Sequence, residues 1–179
     1  LVQGLFELAK IDQNEFAVEK EKIMFDNLIQ KVVERIYPAV KEGEIEFSYN
    51  CPDDVVIAVD PERIQQVLLN ILDNAIKYTP RGNPVHLEVF QDDSEVLIVI
   101  SDSGEGIAEE DLKYIFERLY RAEKSRSRSK GGSGLGLTIA KEIVALHNGS
   151  MEVESNIGEG TRFKITLPKE DAHEEGAVD

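Results

Sequence analysis

Two glycine clusters stand where this chain could do chemistry on a ligand. Gly131-Gly132-Ser133-Gly134-Leu135-Gly136-Leu137 opens an apolar helix-like run, and Asp102-Ser103-Gly104-Glu105-Gly106 follows the strand-like run Val96-Leu97-Ile98-Val99-Ile100. Glycine lets the main chain turn sharply and lets a ligand approach the backbone. Free N–H groups at a helix start, with the helix dipole behind them, favour an anion such as phosphate. Just ahead of the later cluster, Arg118, Arg121, Lys124, Arg126, Arg128 and Lys130 gather six of the chain's 20 basic residues. A charge run is ordinarily a solvated loop, but its place beside a phosphate cradle points to a polyanion. Asn70 and Asn74 add a third feature. Their spacing of four puts both carboxamides on one helical face, bordering the apolar positions Val67, Ile71 and Ala75. Such oxygens suit Mg²⁺, which binds through few protein groups plus substrate phosphates. Two polar residues on a solvent face are the plain alternative.

Composition narrows the class. The 179 residues are 41% hydrophobic, enough for one soluble domain with a real core. A net charge of -15 argues against nucleic acid. Cys51 is the single cysteine, so there is no intrachain disulfide, and no zinc ligand set is visible. No apolar run is long enough to span a bilayer, and the start is no signal peptide. Because it begins at Leu1 rather than Met, the chain is expected to be excised from a longer protein, with room for a membrane anchor upstream.

These residues need elements to position them. Leu1, Leu5, Leu8 and Ile11 predict a helix over residues 1–15, and Val18 to Ile23 a short strand. Asp26 is expected to cap a helix reaching about Lys41, with Pro38 inside it and Gly43 ending it. Ile45 to Tyr49 alternates as a half-buried strand does, and Val55 to Val59 is a second strand. Asp60-Pro61 is a strong helix start, and Ile64, Val67, Leu68, Ile71, Leu72 and Ala75 carry that helix to Tyr78. Strands follow over residues 85–90 and 96–100, a short helix over 108–116, and a long polar loop over 117–133 of the kind that tends to be functional. A helix over 135–147 and strands over 150–155 and 161–167 complete the pattern. Helices and strands without regular alternation indicate an α+β fold. We expect a two-layer sandwich, with helices on one face of a mixed, mostly antiparallel sheet and a helix in front. The expected divisions are 1–17, 18–168 and a disordered acidic tail at 169–179.

Taken in order, Asn70-x-x-x-Asn74, Asp102-x-Gly104-x-Gly106, Phe116, Gly132-x-Gly134-x-Gly136 and Gly158-x-Gly160-Thr161 closely resemble the N, G1, F, G2 and G3 boxes of sensor histidine kinases. The resemblance spans roughly residues 1–168. It implies the ATP-binding sandwich shared with chaperone, gyrase and mismatch-repair ATPases; no P-loop GxxxxGK[ST] occurs. It also implies roles. Asn74 holds Mg²⁺, with Asn70 supporting the metal or the phosphates. Lys77 contacts phosphate, and Tyr78 lies near the adenine. Asp102 accepts a hydrogen bond from the adenine amino group, as a carboxylate facing a donor amine should. Gly104 and Gly106 let the backbone reach the base, Phe116 anchors the near end of an ATP lid, and Arg118 and Arg121 reach the γ-phosphate. Gly132, Gly134, Leu135 and Gly136 turn backbone N–H groups toward the phosphates, and Thr161 completes the last box. The catalytic set is then Asn70, Lys77, Arg118 and Arg121.

Plain readings stand beside these. Phe116 could be core, and Arg118 and Arg121 surface charges. His147 suits a helix C-terminus without further role, and His86 faces out from a strand. Leu119 departs from the phenylalanine this family often has there, which bears on lid packing. The family's phosphoacceptor, a histidine followed by an acid on the first helix of a dimerising hairpin, has no counterpart in His86, His147 or His173. Residues 1–17 resemble the end of the second hairpin helix. The resemblance therefore implies a catalytic half, monomeric by itself, that passes the ATP γ-phosphoryl group to a histidine on a dimerisation domain of its homodimeric parent. Relay to a response regulator would follow. The parent would be anchored in a bacterial cell membrane, with this part cytoplasmic. A nucleotide-sensing binding module and, more weakly, a protein-serine kinase of the anti-sigma type are the alternatives.

Overall fold

Apolar residues at helical or two-residue spacing sort the chain into five helices and seven strands among the described residues, 2–13, 15–120 and 133–169 of the computed structural model. Helix α1 (Val2–Asp12) turns Leu8 inward, 1% exposed, and leaves Val2 and Phe6 in solvent. Burying Leu8 contributes about 1.5–3 kcal/mol. Strand β1 (Glu21–Met24) leads into α2 (Phe25–Gly43), whose stripe Phe25, Leu28, Ile29, Val32, Ile36 and Val40 is buried. Asp26 is not its cap. The helix starts one residue earlier, at Phe25, with Met24 as an N-cap that makes no side-chain bond, so Asp26 lies in the first turn. There it complements the helix dipole. At the other end Gly43 is still helical, and Glu44 takes the left-handed turn at φ 51°.

Strand β2 (Glu46–Asn50) is mostly exposed rather than half-buried, because it forms an edge. After β3 (Val56–Val59), Asp60 caps α3 (Pro61–Tyr78): its Oδ1 accepts from the Arg63 N–H at 3.1 Å, with Pro61 in the first turn. The apolar stripe of α3, from Ile64 to Ile76, is buried. Strands β4 (Pro84–Gln91) and β5 (Glu95–Asp102) form a hairpin whose turn is closed by Asp92 accepting from the Ser94 and Glu95 N–H groups. Helix α4 spans only Glu109–Leu112. Beyond it, backbone bonds from Tyr114 to Asp111 and from Glu117 to Tyr114 replace the helical ladder with tight turns. Helix α5 (Gly136–Leu146), β6 (Ser150–Asn156) and β7 (Gly160–Pro168) follow.

The main sheet runs β2-β4-β5-β7-β6, antiparallel throughout except for the parallel β2–β4 pair. A separate antiparallel pair joins β1 to β3. Val85, Leu87 and Val89 of β4, Val96, Ile98 and Ile100 of β5 and Phe163, Ile165 and Leu167 of β7 join the helix stripes in one core. This is the expected α+β sandwich. The helix layer is stitched by α3, which packs on both α2 and α5, and α1 lies on α5. A Cβ at Gly4 would stand 3.1 Å from Leu135 Cδ1 and 3.3 Å from Ile139 Cδ1, which shows how closely α1 approaches.

His147, expected only to suit the end of its helix, is buried. It is 2% exposed; its Nε2 accepts from the Asp60 N–H at 3.0 Å and its Nδ1 faces Ile143 O at 2.8 Å, which sets a neutral ring protonated on Nδ1. His86 does face outward, against Ser48 Oγ at 2.6 Å. Lys169, assigned to the tail, still donates its N–H to Ser94 O and accepts from Ala58. The rest of the tail, 170–179, lies outside the described residues.

Candidate functional site

The end of β5 is held backbone to backbone. Asp102 pairs in register with Thr161 of β7. Its Oδ1 accepts from the Gly104 N–H at 2.8 Å. Burial pushes its carboxyl above the usual 3.8, and the N–H groups of Gly104 and Thr161 pull it back in part. A half-buried acceptor carboxylate, aimed by two backbone donors, is suited to recognising a donor group on a ligand.

Glycine is required at two points of this wall. Gly160 has φ 88°, and a Cβ there would fall 1.9 Å from Asp102 O. A Cβ on Gly104 would fall 2.8 Å from Tyr78 O at the end of α3. The backbone approach is thus first of all to Tyr78 and Asp102 of this chain. Gly106 sits against Asn156 O, and the Gly158 N–H donates to Glu105 O at 2.9 Å. Ser155 Oγ donates to Gly160 O, accepts from the Ile107 N–H and meets Thr161 Oγ1 at 3.0 Å. Ser155 binds the β6–β7 turn to the Asp102 loop, a role no local pattern announced. Thr79, next to Tyr78, is 7% exposed, and its Oγ1 has no hydrogen-bond partner among the described residues. Such an orphan is rare in a native interior.

The start of α5 is held differently. Asn70 Nδ2 of α3 donates to Gly136 O at 3.0 Å, tying the two helices together. Gly134 turns at φ 70° and its carbonyl accepts from the Leu119 N–H at 3.0 Å. Leu135 is buried, and its N–H reaches Ser133 Oγ at 3.3 Å. Phe116 packs against the core. Its ring meets Phe163 edge-on at 6.5 Å, Lys141 Nζ lies 4.6 Å from its centroid, and Thr138 of α5 donates to its carbonyl. Arg118 turns elsewhere: its guanidinium forks onto Asp12 of α1, at 2.8 Å to Oδ2 and 2.5 Å to Oδ1. Arg121 and Gly132, like Lys124, Arg126, Arg128, Lys130 and Gly131, lie outside the described residues.

The two ends share helix α3. Tyr78 abuts the Asp102 loop and Asn70 abuts Gly136. Eight residues of helix separate them, about 12 Å, the scale of a base joined to a phosphate chain. Between them on the same helix, Asn74 is half-buried and Lys77 Nζ lies 5.0 Å from the centre of the Tyr78 ring. Among the described residues no group of three or more His, Cys, Asp or Glu could hold a metal. With its amide nitrogen turned to Gly136, Asn70 keeps a carboxamide oxygen as its acceptor end, and Asn74 carries a second. That donor set fits Mg²⁺, which takes few protein oxygens when phosphates supply the rest. It does not fit zinc.

Residues 59–171 match the family described as histidine kinase-, DNA gyrase B- and HSP90-like ATPase. The sensor histidine kinase WalK of Bacillus subtilis is 38% identical over 178 residues, covering 98% of this chain and 29% of WalK. The chain therefore spans under a third of that relative's length. The mycobacterial sensor histidine kinase MprB superposes with a TM-score of 0.72 at 30% identity, over 84% of this chain and 97% of that one. Full-length ShkA, solved in complex with AMPPNP, gives 0.81 at 26% identity, over 96% of this chain and 35% of that one. Box order, sheet topology and these likenesses agree: the chain belongs to the histidine kinase-, gyrase- and HSP90-like ATPase family.

Proposed function

We propose that this chain is the ATP-binding catalytic domain of a sensor histidine kinase, donating the ATP γ-phosphoryl group to a histidine on a separate helical domain. The observation that carries the reading is Asp102, half-buried and aimed by the N–H groups of Gly104 and Thr161, at one end of a helix whose other end ties Asn70 to the start of α5. Asp102 would accept from the adenine amino group, with Tyr78 flanking the base and Thr161 behind the carboxylate. Gly134, Leu135 and Gly136, with Gly132, would offer N–H groups to the phosphates. Lys77, Arg118 and Arg121 would neutralise their charge. Mg²⁺, held by Asn74 and Asn70, would supply further charge neutralisation.

Phosphoryl transfer needs mainly positioning and such neutralisation. An asparagine at 70 cannot act as the base that activates water, which favours keeping the phosphoryl group for an imidazole nitrogen. Transfer breaks the bond from the γ-phosphorus to the bridging oxygen and forms a phosphorus–nitrogen bond. The acceptor lies on a partner domain, for which α1 would be the end of the second hairpin helix; Val2, Leu5 and Phe6 leave apolar surface there. The phosphoryl group would pass on to a response regulator. Among the described residues no helix is long and apolar enough to cross a membrane.

The test supplies radiolabelled ATP and Mg²⁺, with and without a matched hairpin domain in trans. The chain alone should stay unlabelled. The added domain should acquire acid-labile label, slowly and in proportion to its concentration, because tethering is lost. Tight ATP binding with no transfer at any acceptor concentration would favour the binding-module reading.

A further inference from the structure

Helix α1 touches the phosphate end of the site at two places. Leu135, the residue before α5, packs against Gly4, and Arg118 is gripped by Asp12. We propose that α1 is a charge latch: docked, its Asp12 occupies Arg118; displaced, it releases Arg118 to the terminal phosphate of a nucleoside triphosphate. The proposal rests on the nucleotide reading above and adds its regulation.

The grip uses the whole guanidinium fork. Nη1 meets one Asp12 oxygen and Nη2 the other, the bidentate arrangement that carboxylate and phosphate both favour. End-on pairing through both Nη atoms partly neutralises the guanidinium and fixes its direction, so Asp12 competes with a phosphate for it. Each partner shifts the other: Arg118 holds the Asp12 carboxyl below its ordinary range, and Asp12, with Glu142 of α5 nearby, holds the Arg118 charge more firmly. The turn that carries Arg118 is fixed on its far side. Leu119 stands at φ 62° and donates its N–H to Gly134 O. Tyr120 packs on Tyr114 and bonds Asp111. Release therefore needs only a side-chain swing once α1 moves. The remaining α1 contacts are light: Glu7 reaches Arg63 at 3.4 Å and Gln66 at 3.0 Å, and Leu8 is the one buried α1 side chain among the described residues. The exposed Val2, Leu5 and Phe6 offer a partner helix something to pull on.

The latch is tested by calorimetry with ATP·Mg²⁺ and with ADP on four proteins: wild type, Asp12→Asn, Arg118→Ala and the double variant. Asp12→Asn should tighten ATP roughly two- to fivefold, the scale of one exposed ion pair, and leave ADP unchanged. The gain should shrink with added salt and vanish in the Arg118→Ala background. An equal gain in both backgrounds would reduce the effect to general charge and overturn the latch. No gain from Asp12→Asn, while Arg118→Ala weakens ATP, would overturn it too and leave the nucleotide site standing. Failure of every variant to bind either nucleotide would remove the nucleotide reading and the latch with it.

Discussion

Around Asp102 the chain is locked main chain to main chain, whereas around Gly136 it is held by side chains that have other partners to choose. The β5–β7 pairing, the Gly104–Tyr78 approach and the Gly160–Asp102 approach leave that wall one arrangement. Apart from one backbone bond from Leu119 to Gly134 O, the other end depends on an amide from Asn70, a hydroxyl from Thr138 and an arginine engaged with α1. Under the proposed reading the rigid wall faces adenine, which is the same in ATP and ADP. A phosphate chain differs before and after transfer, and suits contacts that can be exchanged.

The sharpest break of the rigid end is Gly160→Ala. A methyl group 1.9 Å from Asp102 O, at φ 88°, should cost about 2–5 kcal/mol of stability. An unchanged denaturant midpoint would show that the wall yields. Next comes Asp102→Asn, expected to weaken ATP and ADP alike by roughly 10–100-fold, the loss of a hydrogen bond to a charged acceptor. Calorimetry showing full affinity would take the base away from this wall. Wild-type protein offers the same test through pH. Burial raises the Asp102 carboxyl above 3.8, so base affinity should fall with falling pH while the medium is still above that value. The nucleotide-free fold behaves oppositely at this group: a raised carboxyl binds its proton more tightly folded than unfolded, so its contribution to stability grows as pH falls and is lost as pH rises. The smallest effect is expected from Asn70→Ala at the exchangeable end. Losing its bond to Gly136 O should cost about 1 kcal/mol of stability and weaken ATP·Mg²⁺ severalfold. An equal loss for ADP in chelator would make Asn70 a packing residue alone.

Local rules carried the sequence reading where one element governs itself. Asp60-Pro61 caps α3 as its residue types require, and the two-residue alternation of β4 reports its buried face. The glycine boxes marked the Asp102 loop and the start of α5, because tight approaches demand that residue type. Distance in sequence hid the rest. Nothing near Arg118 announces Asp12, 106 residues away, and nothing near His147 announces Asp60, 87 residues away. Asp26 looked like a cap because its chemistry fits one, yet Phe25 joins the helix as a core residue and moves the start back. The helix expected over residues 108–116 ends at Leu112, and tight turns follow where Tyr120 folds back onto Tyr114.

The strand order β2-β4-β5-β7-β6 sets a timetable for synthesis. Asp102 lies on the central strand, but the neighbour that completes its wall is β7, which follows β5 only after α4, α5 and β6. Helix α1 finds its Leu135 and Ile139 neighbours only when α5 follows. On a ribosome, residues up to Asp102 can build the β4–β5 hairpin and the α2–α3 layer, but neither the β5–β7 pairing around Asp102 nor the seat for α1 on α5. At about 5–20 residues per second, the growing chain passes several seconds with an exposed sheet edge at β5. Under the proposed reading, the wall offered to the base is therefore complete only once β7 has closed the sheet.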